Sequence, residues 1–143
     1  MIRQAKIFML IMFICIVSVS LANSAQLDLN TILMRSTFKI ARSKKLGTAF
    51  IIGKPVPGDT QKHYYVLVTA AHVLQDIKED QAILFLRKKQ GEEFIKVPYP
   101  LTIRKEGVPL WKEHPKADVA VMYVNLPNDV DIQLLPMSLL VTD

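Results

Sequence analysis

The chain has 143 residues, 50% of them apolar and 22% charged, with eight prolines and one cysteine. That balance excludes a disordered chain and suits one globular domain. The formal charge of +5 is too mild to argue for a nucleic-acid or membrane-surface partner.

Residues 1–25 read as a secretory signal peptide. Arg3 and Lys6 make a basic start, Ile7 to Ala22 is free of charge, and small residues follow at Ala22, Ser24 and Ala25, any of which suits cleavage. The apolar run is shorter than the about 20 residues of a spanning helix, so an uncleaved anchor is the alternative. Removing the leader leaves 16 basic against 13 acidic residues, a charge of +3, and also removes Cys15. The mature chain then has no thiol and no disulfide. An exported domain without disulfides fits a bacterial periplasmic or secreted setting better than an animal secretory pathway. No stable membrane association is expected after cleavage.

Residues 26–46 form a lead-in and a first strand. Gln26 to Arg35 is ambiguous between a short helix and an extended arm, Ser36 to Ala41 alternates as a strand, and Arg42 to Lys45 is a turn. Gly47 to Ile52 predicts a second strand, ended by Gly53. Lys54 to Lys62, with Pro55, Pro57 and Gly58, predicts a hairpin loop. Tyr64 to Val68 is aromatic, β-branched or aliphatic throughout and predicts a buried strand. Thr69 is placed to cap the helical turn that follows it. Gln75 to Asp80 is a polar connection, and Ala82 to Arg87 another strand. Phe94 to Tyr99 and Leu101 to Ile103 are strand pieces interrupted by Pro98 and Pro100, which argues for an edge or a bend. Gly107 to Lys116 is the loop into Asp118, with Trp111 packed at its rim, and Val119 to Val124 is the last strand. Asn128 to Asp143 is apolar without a period. About six short strands separated by turns point to an antiparallel barrel or sandwich.

Two residues stand where chemistry is cheap to build. His72 leaves a rigid strand-to-turn corner, which fixes its ring nitrogens by scaffold rather than by a mobile loop. Asp118 sits 46 residues later at the mouth of an apolar strand, where a charge needs a partner.

Thr69-Ala70-Ala71-His72 and Asp118-Val119-Ala120-Val121 resemble the histidine and aspartate motifs of the trypsin-like, chymotrypsin-fold serine proteases. That family works through a Ser-His-Asp triad, in which the histidine is general base and the aspartate orients it. The resemblance covers residues 47–127 and implies an all-β fold: an antiparallel six-stranded β-barrel, the first half of a two-barrel enzyme. Residues 128–143 would then be the inter-barrel linker, with the chain ending before the second barrel. The implied activity is endopeptidase cleavage of a protein or peptide substrate, with His72 and Asp118 as catalytic residues and no cofactor.

The serine that this chemistry needs has no counterpart. Ser138 lies in Pro-Met-Ser-Leu-Leu, without the glycines of a tight oxyanion turn. This chain alone is therefore expected not to hydrolyse peptides. His63, His72 and His114 have no metal-ligand spacing, and His63 and His114 are expected on exposed loops. Three alternatives stay open: a non-catalytic, protease-derived module that binds peptides or proteins, a parent with a cysteine nucleophile elsewhere, and an unrelated small exported β protein.

Overall fold

Ser43, with a left-handed φ of 52°, turns the chain between β1 (Thr37–Arg42) and β2 (Lys45–Val56), which pair antiparallel from Arg42↔Lys45 to Thr37↔Phe50. The computed structural model describes residues 29–136. Residues 29–36 are helical. The sheet and the site belong to the unit that begins at Met34.

The second hairpin is tighter than its prolines and glycines suggest. Strand β2 runs through Gly53 to Val56, and β3 (Asp59–Thr69) begins two residues after Pro57, around a Gly58 with φ of 82°. The ladder absorbs Pro55 by a register shift between Pro55 and Val56, the position where a missing N–H does least harm. His63 is thus a strand residue opposite Pro55, not part of a loop.

Beyond β3 a short helix, Ala71–Asp76, leads through the buried Ile77 to β4 (Gln81–Gln90). The expected polar connection is therefore partly core. Strand β5 (Glu93–Thr102) returns along β4 without a break, from Gln90↔Glu93 to Gln81↔Thr102. Pro98 and Pro100 occupy alternate positions and so share one edge of the strand. They are tolerated because β5 has a strand on one side only. Next come a small hairpin, β6 (Arg104–Lys105) and β7 (Val108–Pro109), then β8 (Lys112–Glu113), β9 (Ala120–Val124) and β10 (Leu135–Pro136). Glu106 and Gly107 both have positive φ, as a type I′ hairpin turn requires.

The strands line up in the order β5-β4-β1-β2-β3-β9-β8, with β10 parallel to β2. All the other pairings are antiparallel, so the antiparallel β expectation is met at that level. The closed six-stranded barrel is corrected: the sheet is open. It curls far enough for Tyr99 Oη on β5 to donate to the Asn125 carbonyl just past β9, at 3.1 Å. No ladder joins the two strands among the described residues. Pro98 and Pro100 remove two donors that such a ladder would draw on.

The core lies on the concave side. Phe38 and Ile40, Ala49 and Ile51, Leu67, Leu84 and Leu86, and Ala120 and Met122 alternate inward from successive strands, and Leu74 and Trp111 complete the cluster. Strand β9, uniformly apolar in sequence, buries only Ala120, Met122 and Val124. Residues after Pro127, expected as a linker, follow the sheet as far as Pro136. Asp131 N donates to Arg87 O (2.7 Å), Asp131 pairs with Arg35, and Leu135 lies beside Ile52.

Candidate active site

His72 and Asp118 come together through two contacts made by one carboxylate. Asp118 Oδ2 accepts the His72 ring Nδ1–H at 2.5 Å, and Asp118 Oδ1 accepts the His72 backbone N–H at 3.0 Å. A carboxylate held at two points on one residue cannot swing without losing both, so the ring orientation is fixed along with it.

The backbone contact also serves the helix. Residue 72 lies in the first turn of Ala71–Asp76, where amides have no intrahelical acceptor. The N-cap residue, Ala70, offers no side-chain cap. Asp118, from the loop between β8 and β9, supplies the missing acceptor. Thr69 does not: it belongs to β3, is buried, and donates its hydroxyl to the Thr48 carbonyl across the ladder at 2.7 Å. An inward-facing β residue has no line of approach to the next helix's amides, and its buried hydroxyl takes the carbonyl that the β2–β3 register brings beside it.

Electrostatics follow the geometry. The His72 amide first, and then the His72 ring, hold the Asp118 carboxyl below the ordinary aspartate value of 3.8, against a smaller opposing effect of desolvation. Asp118 is thus an anion at neutral pH, the form that accepts and keeps the Nδ1 proton. Both side chains remain more than half exposed, 63% for His72 and 55% for Asp118, so the pair is oriented without being shielded from water.

Several residues that the motifs did not identify shape this corner. Gln75 Nε2 donates to Glu113 Oε2 (3.0 Å) and Trp111 Nε1 to Glu113 Oε1 (2.8 Å), tying the helix to β8. Arg104 closes the helix's other end, donating to the carbonyls of Leu74, Ile77 and Glu79 while its guanidinium lies 4.7 Å from the Trp111 ring. An arginine after a broken strand gives no sequence signal for such a role. Gly47, read only as a strand start, faces Val73 of the helix. His114 is exposed, as expected, but its Nδ1 is an acceptor for the Lys116 and Ala117 amides.

No serine joins the pair among the described residues. Ser36 is buried and Ser43 donates to Glu79 (2.8 Å); Ser138 lies outside the described residues, as does the leader of residues 1–25. Among the described residues no three His, Cys, Asp or Glu side chains converge as a metal site, and no helix is long and apolar enough to cross a membrane. Comparison with protein-family models, curated proteins and solved structures finds no match for this chain.

Proposed function

We propose that this chain carries the histidine–aspartate half of an exported trypsin-like serine endopeptidase, its open antiparallel sheet forming the first half of a fold whose second half brings the nucleophile. One observation carries the reading: Asp118 binds His72 at both the ring Nδ1 and the backbone amide. Nδ1–H held by a carboxylate leaves Nε2 as the basic nitrogen. His72 then takes a proton from a serine hydroxyl as that oxygen attacks the peptide carbonyl, and returns it to the leaving amine. Asp118 stabilises the imidazolium in between. The nucleophile and the oxyanion hole are assigned to no residue of this chain. The exposure of the pair agrees with a site that a further element has yet to cover.

The test is to sequence the coding DNA beyond Asp143 and assay the product. An open frame carrying Gly-x-Ser-Gly-Gly, whose protein hydrolyses casein and loses that activity in His72→Ala, supports the reading. Casein hydrolysis by residues 1–143 alone, lost in His72→Ala, overturns the assignment of the nucleophile to another segment.

A second reading, a protease-derived peptide- or protein-binding module, rests on a different observation. The outer face around β9 exposes Tyr64, Leu110, Val121 and Tyr123, an apolar surface of the kind that partners cover. A stop codon directly after Asp143, with a soluble monomer that melts cooperatively, favours this module over the endopeptidase.

A further inference from the structure

We infer that His114 is a positioning residue for Asp118, acting through the loop between β8 and β9; the inference rests on the His72–Asp118 pairing described above. His114 closes this loop from three directions. Its Nδ1 accepts the backbone N–H of Ala117 at 2.9 Å and that of Lys116 at 3.2 Å. Its own backbone N–H donates to the Val119 carbonyl at 2.9 Å, while Val119 N–H donates to the Ala117 carbonyl at 2.8 Å. Asp118 is the one residue enclosed between these anchors, with Ala117 held on one side and Val119 on the other.

The local sequence explains the arrangement. Pro115 follows His114 and has no N–H, so the first amides able to reach back to the ring are those at the second and third positions beyond it. This is the side-chain mimic of a turn that Asn and Asp make with their oxygens. Two donors on Nδ1 require its lone pair, which places the ring proton on Nε2. His114 therefore serves as an acceptor, and neither nucleophile nor metal ligand is needed to account for it. Without that acceptor the Lys116 and Ala117 amides turn to water, and the loop loses what fixes the direction of the Asp118 carboxylate.

The experiment compares His114→Ala and His114→Asn in the full chain by proton and nitrogen NMR. Asparagine offers an oxygen near the position of Nδ1; alanine offers nothing. The readout is the downfield proton shared by His72 Nδ1 and Asp118, together with hydrogen exchange at the Lys116 and Ala117 amides. His114→Ala is expected to broaden or remove the downfield signal and to speed exchange at the two amides about fivefold, with the Leu67 and Leu84 amides unchanged. His114→Asn is expected to restore both. A His72 signal unaltered in His114→Ala, beside faster exchange at Lys116 and Ala117, overturns the inference, because the ring would then order only its own turn. Should the alanine variant fail to fold, His114→Leu, which fills the ring's volume but accepts no hydrogen bond, takes its place with the same two outcomes. Absence of the signal from the unsubstituted chain removes the pairing itself. None of these readouts uses peptide hydrolysis, so failure of the endopeptidase reading leaves the result intact.

Discussion

No side chain fits between Gly47 and Val73: a Cβ at residue 47 would lie 2.5 Å from Val73 Cγ1 and 3.2 Å from Val73 Cβ. Val73 is buried and follows His72 in a short helix, so the strand start at Gly47 sets how closely that helix can approach the sheet. Gly47→Ala forces the helix outward and is expected to cost about 1–3 kcal/mol, as overpacking does. The urea midpoint should fall and the shared His72–Asp118 proton should shift. Val73→Ala in the same chain should recover part of the loss, since the two sites are in contact and their effects should not add. Equal losses in the single and double variants would show that the contact is not what glycine serves.

The Asp118 contacts predict an acid limb. Its carboxyl is held low, first by the His72 amide and then by the His72 ring. Below the ordinary aspartate value of 3.8 the unfolded chain therefore binds the proton first. The stabilisation is present in full above that value and is lost as pH falls through the lower folded-state value. In Asp118→Asn the urea midpoint should fall less between about pH 4 and pH 2. The limb should not vanish, because Asp76 beside Lys45, Glu79 beside Ser43, Glu113 beside Trp111 and Asp129 beside Lys88 are lowered too. Identical acid limbs in both proteins would mean that the carboxylate contacts do not persist in solution.

Thr69 marks where sequence reading stops. The apolar runs around Ile51, Leu67 and Leu84 gave the strands but not their inward faces, and the two motifs gave the residues that meet across the corner. Propensity could not say which acceptor the Thr69 hydroxyl would choose, because Thr48 lies 21 residues away and only the β2–β3 register brings it near. The same holds for Arg104, whose acceptors lie 25 to 30 residues away. Closure of the sheet was illegible for a related reason: Pro98 and Pro100 signal an edge, but which edge depends on strand order. Thr69→Val is expected to cost about 1 kcal/mol by removing the hydrogen bond that the buried Thr69 hydroxyl gives the Thr48 carbonyl, while the His72–Asp118 proton keeps its position. A displaced proton signal would return Thr69 to the capping role that its place before the helix suggests.

Arg104 holds the far end of the helix that bears His72, with Nη1 donating to Ile77 O (2.5 Å) and Glu79 O (3.0 Å) and Nη2 to Leu74 O (3.1 Å). Those carbonyls belong to the helix's last turn and its exit, where nothing intrahelical can satisfy them. The guanidinium also covers the buried Trp111. Arg104→Ala removes a charged donor from three carbonyls at once and should cost about 2–4 kcal/mol. Arg104→Lys is expected to recover less than half of that, because one ammonium cannot span three acceptors and stack on an indole as a planar fork does. Urea unfolding followed by the fluorescence of Trp111, the only tryptophan, measures both. Lysine matching arginine would mean that charge alone secures the helix end, and the fork geometry would then carry none of its stability.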